Sequence, residues 1–302
     1  MEEMKSNMSM LGLENTDMHN YINKLVNELR SDIEVYEQLK ALNLTVGEVK
    51  ENIARLTDFK EDYNYCKKCP GIDKCDKRTP HLQIKILKEG NYISSNYEPC
   101  SKILEKIKID NKYLCADFPE EWKYSSLKTL DKSAARKPVI KEFASILKGS
   151  SFQWLYLIGN HNIGKSFTLV TFANEYANMK NTQVAVVSTP NLVKSLAEMA
   201  YSDKDEFSKQ MVLLSDVNLL VMDDFGSEYK NEFIRDNIIF PLLNDRAKKN
   251  KLTFFASDFT LDEIKKLYSI GKNSGEIMGK QLWKLLKNMC FEEYDLQGIA
   301  LY

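Results

Sequence analysis

The sequence predicts an α/β protein, in which a parallel sheet covered by helices is preceded by a small helical domain. Two observations predict this class. From about residue 133, short apolar segments alternate with longer helical segments, as in parallel sheets that are covered on both faces. Residues 1–105 show helical periodicity and a cysteine cluster instead. Because 302 residues are typical of two domains, we expect domains at 1–105 and 133–302, joined by a linker at 106–132.

The composition is that of a globular protein with balanced charge. Hydrophobic residues make up 43% of the chain and charged residues 28%, which argues against wholesale disorder. The 42 basic and 43 acidic residues argue against a protein that coats nucleic acid through its overall field. The chain has no apolar run long enough for a transmembrane helix, and its first ten residues lack the pattern of a secretory signal. We therefore expect a cytoplasmic protein with no membrane partner.

The N-terminal part of the chain has the periodicity of short helices followed by a hairpin. Residues 17–42 place apolar side chains on one helical face, with Asp17 as the expected N-cap. Residues 45–56 predict a second helix. Residues 81–95, HLQIKILKEGNYISS, predict two short strands around a Glu-Gly turn. The resulting core is small, so a structural metal would contribute most to stability here.

Four of the six cysteines lie within residues 66–100, and this cluster predicts a zinc site. Thiols stay reduced in the cytoplasm, so clustered cysteines indicate metal ligands before disulfides. The two-residue spacer between Cys66 and Cys69 lets both thiolates reach one Zn²⁺. The spacing leaves two further ligands open among Cys75, His81 and Cys100. The two remaining cysteines stand alone in apolar segments and are expected to be packing residues, Cys115 and Cys290.

The C-terminal part carries the alternation of strands and helices. A helix is predicted over residues 137–148 and ends at Gly149. The predicted strands are residues 154–158, 183–188, 218–224 and 252–257.

The first of these strands runs into the segment from Gly159 to Ser166, which has the pattern GxxxxGK[ST] of a phosphate-binding loop. Its glycines let backbone N–H groups surround the phosphates, and the helix that follows adds positive potential. Lys165 is expected to reach the β- and γ-phosphates, and Ser166 to supply a hydroxyl to Mg²⁺. Asn162 is expected at positive φ, which Asn tolerates. The predicted nucleotide-binding residues are Gly159, Asn160, His161, Asn162, Ile163, Gly164, Lys165, Ser166 and Phe167.

Acidic residues at the ends of two further strands predict the rest of an ATP site. The strand at 218–224 ends in Asp223 and Asp224, and buried carboxylates require a cation partner. Asp223 is the expected Mg²⁺-side ligand, and Asp224 the residue expected to polarise the attacking water. The strand at 252–257 adds Ser257 or Asp258 as the polar residue near the γ-phosphate. We therefore predict catalytic roles for Asp223, Asp224 and Asp258.

Together these motifs resemble the DnaI-type bacterial replicative-helicase loaders, which are AAA+ ATPases. The stretches VMDDFGSE, FIRDNIIFPLLNDR and LTFFASDFTLDEI carry the resemblance beyond the phosphate loop, and it covers nearly the whole chain. It implies an AAA+ P-loop NTPase domain preceded by a small helical zinc-binding domain. It also implies zinc ligation by three cysteines and one histidine, namely Cys66, Cys69, Cys100 and His81, with Cys75 as the alternative fourth ligand.

The resemblance further implies a role in DNA replication within the primosome. The N-terminal domain would bind the hexameric DnaB-type replicative helicase. The AAA+ domain would bind ATP with Mg²⁺, self-associate and contact single-stranded DNA. The protein would thus help to place the helicase on single-stranded DNA during initiation or restart.

The chain departs from this family at positions that bear on ATP hydrolysis. Asn162 stands where the loop usually has glycine, and Asp258 stands where the third strand usually ends in asparagine. Glu276 and Lys280 occupy places where the family has late-helix arginines, and Lys is a poorer geometric substitute for an arginine finger. Two arginines that do match the family precede the third strand, Arg235 and Arg246. We therefore predict an ATP-binding switch with weak turnover.

Two alternative functions remain open from the sequence. A transposition-helper ATPase of the insertion-sequence type shares the AAA+ core, but such helpers are expected to lack the N-terminal zinc-bearing extension. A non-hydrolysing adaptor would use zinc and nucleotide structurally. The departures at Asp258 and in the late helix favour it slightly, whereas the intact Lys165 and Ser166 oppose it. A third function, that of an initiator that reads an origin sequence, is not expected, because few residues follow the AAA+ core and a DNA-reading domain would need more.

Overall fold

A computed structural model describes residues 15–90, 92–131, 133–272 and 274–296 of the chain. The chain divides into two compact units, Met1–Lys108 and Ile109–Tyr302. Among the described residues, buried apolar side chains form one cluster in the first unit and two in the second. No helix in the described ranges is long and apolar enough to cross a bilayer.

The first unit combines short helices with one antiparallel hairpin. Its helices are α1 (Asn15–Ser31), α2 (Ile33–Lys40), α3 (Val46–Glu51), α4 (Ile53–Lys67) and the start of α5 (Ser101–Asp110). Its strands are β1 (Leu82–Glu89) and β2 (Tyr92–Pro99), which pair with Leu82 opposite Pro99. The two strands predicted around the Glu-Gly turn are thus confirmed. The main cluster of buried apolar side chains among the described residues of this unit consists of Leu29, Val35, Leu56, Ile86 and Ile93.

Both helices predicted in this unit are interrupted. The predicted helix over 17–42 is two helices, because Asp32 caps α2 by accepting a hydrogen bond from the Val35 backbone N–H. The described part of α1 already includes Asn15, so Asp17 lies in the first turn and the prediction that it caps the helix is wrong. The helix predicted over 45–56 breaks at Asn52, where φ is −108° and ψ is 19°. The following helix, α4, then extends to the first cysteines.

The second unit is a six-stranded sheet in the order β3-β5-β6-β7-β4-β8, and every neighbouring pair is parallel. Its strands are β3 (Tyr113–Ala116), β4 (Leu155–Ile158), β5 (Val184–Ser188), β6 (Leu219–Asp223), β7 (Leu252–Ser257) and β8 (Glu293–Asp295). Four of these coincide with the predicted strands. The edge strand β3 falls in the segment predicted to be a linker, because it pairs with the distant β5.

The helices of this unit connect successive strands. They are α6 (Lys137–Lys148), α7 (Lys165–Lys180), α8 (Thr189–Ser202), α9 (Lys204–Asp216), α10 (Glu232–Ile234), α11 (Phe240–Lys248), α12 (Leu261–Tyr268) and α13 (Gly275–Cys290). A π-helical turn, Arg235–Ile239, joins α10 to α11. As predicted, α6 ends before Gly149, which adopts φ 76°.

Both faces of the sheet are buried, in agreement with the predicted α/β class. Leu155 and Leu157 of β4 belong to one apolar cluster, together with Phe143 of α6, whereas Tyr156 belongs to the other. Successive side chains of a strand point to opposite faces, so this division shows that helices cover each face. The carboxyl ends of β4, β7 and β6 consequently lie side by side at one edge of the sheet. The phosphate-loop segment begins at that edge.

Candidate functional site

The loop between β4 and α7 turns tightly and has three residues at positive φ. Gly159 has φ 140°, Asn162 φ 61° and Gly164 φ 85°. The prediction of positive φ at Asn162 is confirmed. A Cβ atom at Gly159 would lie 2.3 Å from the Ile163 Cδ1 atom and 2.9 Å from the backbone oxygen of Leu296. Glycine is therefore required at this position, whereas Asn meets the need at position 162.

Lys165, the first residue of α7, points back across the loop. Its ammonium group donates hydrogen bonds of 2.9 Å to the backbone oxygens of Gly159 and Asn160. It also lies 2.7 Å from the Asp258 Oδ1 atom at the end of β7. The Lys165 side chain is only 7% exposed. The amino end of α7 adds the positive potential of a helix N-terminus at the same place.

Ser166 connects the loop to β6. Its hydroxyl donates a hydrogen bond of 2.8 Å to the Asp223 Oδ1 atom, which also accepts one from the Asp224 backbone N–H at 3.1 Å. Burial, together with the nearby charge of Asp224, raises the pKa of Asp223 to about 6, although the Ser166 hydrogen bond opposes the shift. Asp224 adopts φ 52°, which turns the chain sharply after β6. The Ser166 hydroxyl oxygen and the Asp223 carboxylate oxygen are together suitable ligands for a divalent cation.

The structure distinguishes the two polar residues predicted at the end of β7. The fully buried Ser257 donates a hydrogen bond of 2.6 Å to the backbone oxygen of Phe225 and accepts one from the Phe259 backbone N–H. Asp258 instead faces the phosphate loop and contacts Lys165. Its second carboxylate oxygen lies 3.7 Å from His161 Nδ1, and the His161 side chain is 75% exposed. Asp258 is thus the residue that β7 contributes to the site.

Sequence reasoning missed Arg136, which supports the loop from beneath. This buried arginine precedes α6 and donates a hydrogen bond of 2.6 Å to the Ile163 backbone oxygen. It also contacts the Thr168 hydroxyl at 3.4 Å and pairs with Asp131 at 2.9 Å. Arg136 lies outside the phosphate-loop motif, and no sequence pattern around it indicates that it contacts the loop. Only the scarcity of arginines in the chain could have drawn attention to it.

Arg235 is buried in the fold of the second unit. Its guanidinium donates to the backbone oxygens of Tyr268 and Ile270, at the carboxyl end of α12. It also pairs with Asp236 at 2.7 Å, and this hydrogen bond raises the pKa of Arg235.

Arg246 is fully buried, and most of its hydrogen-bond partners are backbone oxygens. Its guanidinium donates hydrogen bonds of 2.6 Å and 2.9 Å to the backbone oxygens of Leu214 and Val217. It donates two more, to the Thr253 hydroxyl at 2.9 Å and to the backbone oxygen of Leu252. Burial lowers the pKa of Arg246 to about 9.

All three arginines of the second unit are therefore buried, at 8% exposure or less. Each donates hydrogen bonds to groups of its own chain. The late helix α13 instead exposes Glu276 and Lys280.

In the first unit, the five predicted candidate zinc ligands line one cavity of about 50 Å³: Cys66, Cys69, Cys75, His81 and Cys100. His81 Nδ1 is buried and has no hydrogen-bond partner among the described residues. The Lys77 ammonium lies 3.3 Å from Cys66 Sγ. Within the described ranges, no three His, Cys, Asp or Glu side chains converge closely enough to hold one metal ion. The four-ligand site is therefore not shown.

Comparisons with known proteins agree with this description. No protein-family model matches the chain. The replicative helicase loader DnaI of Bacillus subtilis (strain 168) is 24% identical over 263 residues, which cover 82% of each chain. A crystal structure of DnaI matches with a TM-score of 0.55 at 21% identity, over 62% of this chain and 98% of that one. The crystal structure of the DnaC helicase loader matches with a TM-score of 0.50 at 17% identity, over 59% and 100%.

The structural matches show that the chain shares its α/β fold, with a parallel sheet, with these two helicase-loader structures. The sequence similarity, which extends over most of both chains, confirms the predicted resemblance to the DnaI-type helicase loaders.

Proposed function

We propose that this protein is a helicase loader that binds the replicative helicase and helps to place it on single-stranded DNA during initiation or restart of replication. The similarity to DnaI over 82% of each chain carries the proposal. The matched length exceeds that of the second unit, so the similarity continues into the first unit. A transposition helper, which is expected to lack this extension, accounts for the chain less well. This function would place the protein in the cytoplasm.

The second unit would supply the ATP site of the loader. The loop from Gly159 to Phe167 would hold the phosphates with its backbone N–H groups, and Lys165 would contact the β- and γ-phosphates. Ser166 and Asp223 would hold Mg²⁺, which neutralises phosphate charge when bound. The geometry that supports this assignment is the positive-φ loop and the Ser166–Asp223 hydrogen bond.

Hydrolysis at this site would be slow. Asp224 follows Asp223 at the end of β6 and is the residue proposed to polarise water. No arginine of the second unit is exposed to complete a neighbouring subunit's site, because all three are buried. Asp258 lies close to Lys165 rather than free to orient water. The protein would therefore act mainly as a nucleotide-dependent switch.

The first unit would be stabilised by Zn²⁺ held by Cys66, Cys69, Cys100 and His81. The donor types suit zinc, and the four side chains line the same cavity. The unpartnered, buried His81 Nδ1 favours His81 over Cys75 as the fourth ligand. Bound zinc would cross-link the end of α4 to the hairpin, in a unit whose main apolar cluster has five buried side chains among the described residues.

Each unit would then have a separate partner. Residues 1–105 would bind the helicase hexamer, and residues 133–302 would contact single-stranded DNA and self-associate. To test this proposal, we would mix the full chain with the replicative helicase of the same organism and measure complex mass and zinc content by native mass spectrometry, with and without ATP.

A zinc-containing complex with the helicase hexamer is the expected result. The variant Lys165→Ala is the matched control, because it alters the ATP site but leaves the first unit intact, and it should retain helicase binding. Absence of a complex under every nucleotide condition would contradict the loader function and favour the transposition helper or the adaptor.

A further inference from the structure

The carboxylate of Asp258 lies beside the lysine that the proposed function assigns to phosphate binding. Its Oδ1 atom lies 2.7 Å from the Lys165 ammonium, inside the phosphate loop. The side chain is 39% exposed and borders solvent at the mouth of the site. A carboxylate here adds a negative charge where a nucleotide also brings negative charge.

The distance to a bound phosphate follows from the Lys165 contacts. Lysines in such loops reach the β- and γ-phosphates, and a charge-assisted hydrogen bond spans roughly 2.8 Å. A phosphate oxygen bound by Lys165 would therefore lie within roughly 6 Å of Asp258 Oδ1. Like charges at that separation repel strongly in a partly buried site.

Beyond the phosphate charge that bound Mg²⁺ would neutralise, the described side chains around Asp258 offset little of this repulsion. Arg136 is buried beneath the loop and already binds Ile163 and Asp131. Lys165 is shared between Asp258 and the loop carbonyls. Among the residues that the structure describes, His161 is the further basic side chain recorded near Asp258, and it is 3.7 Å away and mostly exposed.

We propose that Asp258 is a specificity-determining residue that makes this site favour a nucleoside diphosphate over a triphosphate. Without a γ-phosphate, Asp258 keeps its ion pair with Lys165. A γ-phosphate must compete for Lys165 and places further negative charge near the same carboxylate. This inference rests on the proposed nucleotide site and concerns which phosphate state of the nucleotide that site retains.

The test compares nucleotide affinities of the full-length protein in the presence of Mg²⁺. Calorimetric titration would give Kd for ADP and for a non-hydrolysable ATP analogue. The variants are Asp258→Asn, which keeps the shape and removes the charge, and Asp245→Asn. Asp245 is exposed on α11, so its variant controls for the loss of one negative charge elsewhere in the unit. Melting temperatures would verify that both variants fold.

The wild-type protein should bind ADP more tightly than the ATP analogue. Asp258→Asn should shift the ratio of the two Kd values toward the analogue by about tenfold or more, whereas Asp245→Asn should leave the ratio unchanged. A ratio that Asp258→Asn shifts by less than about threefold, which is below 1 kcal/mol, would overturn the inference but not the nucleotide site. Wild-type preference for the analogue would also overturn it. No binding of either nucleotide would instead contradict the proposed function.

Discussion

The hydroxyl of Ser166 donates a 2.8 Å hydrogen bond to the Asp223 carboxylate, and this contact joins the phosphate loop to the end of β6. It brings together two residues that are 57 positions apart in the sequence, with β5, α8 and α9 between them. The contact satisfies one Asp223 oxygen, but burial still raises the pKa of this group. The arrangement therefore disfavours ionised Asp223 until a cation binds.

We predict that Asp223→Asn stabilises the nucleotide-free, metal-free protein at neutral pH. The pKa of Asp223 rises from 3.8 to about 6 on folding. Burial penalises the ionised Asp223 carboxylate in the folded protein. The folded protein is therefore at full stability with respect to this group below pH 3.8, and it loses that stability as the pH rises through about 6. At pH 7.5 the neutral amide should raise the free energy of unfolding by about 1–2 kcal/mol.

Urea unfolding at pH 3.5 and pH 7.5, with chelator present, measures this difference. The gain of Asp223→Asn over the wild type should disappear at the lower pH. The exposed replacement Asp245→Asn should show no such pH-dependent gain. Equal stabilisation at both pH values would contradict the assigned burial of the Asp223 charge.

Arg246→Lys is predicted to destabilise the second unit although it keeps the positive charge. The Arg246 guanidinium serves three backbone oxygens and the Thr253 hydroxyl, and an ammonium cannot serve all four. The free energy of unfolding should fall by about 2–4 kcal/mol. Chemical denaturation would measure this loss. Lys248→Arg, at an exposed position of the same helix, should change stability by less than about 0.5 kcal/mol.

Much of the second unit was predictable, because its strands are apolar runs bounded by helices. The strands from Leu155, Val184, Leu219 and Leu252 were all predicted within a residue or two. The edge strand β3 was not, since its pairing with β5 depends on a contact between residues some 70 positions apart. In the first unit, periodicity identified helical segments but could not show that Asp32 starts a new helix.

The site was predictable as a set of motifs but not as a set of contacts. The phosphate loop and Asp223 follow from local sequence patterns. The contact between Lys165 and Asp258 depends on β4 and β7 being neighbours, which the sequence order does not reveal. Arg235 and Arg246 had no sequence signal that separates a buried structural arginine from an exposed one. Both donate hydrogen bonds to backbone oxygens distant in the sequence, which no sequence pattern identifies.

Zinc content provides a third prediction. Elemental analysis of the purified full chain should find one zinc per molecule, because three thiols and one imidazole suit tetrahedral Zn²⁺. Replacement of His81 by Ala should release the metal and lower the melting temperature. Cys75→Ser should retain it, because the unpartnered His81 Nδ1 favours His81 as the fourth ligand. Retention in His81→Ala with loss in Cys75→Ser would reverse that assignment, and a zinc-free wild type would contradict the site.

Slow ATP turnover is the fourth prediction. With single-stranded DNA present, steady-state hydrolysis should stay below about one per second, since all three arginines of the second unit are buried and none is available there to stabilise the transferring phosphate. Phosphate release would be measured for the wild type and for Lys165→Ala, which sets the background. Turnover of several per second above that background would contradict the switch-like behaviour.

Transfer of the replicative helicase onto closed circular single-stranded DNA tests the central claim most directly. The helicase and the circle would be incubated with this protein and ATP, and helicase that co-migrates with the circle would be quantified by gel filtration. We predict that the wild-type protein increases loading and that Lys165→Ala reduces it to the level seen without loader. Loading that the wild-type protein does not increase, or that Lys165→Ala supports equally well, would contradict nucleotide-dependent helicase loading.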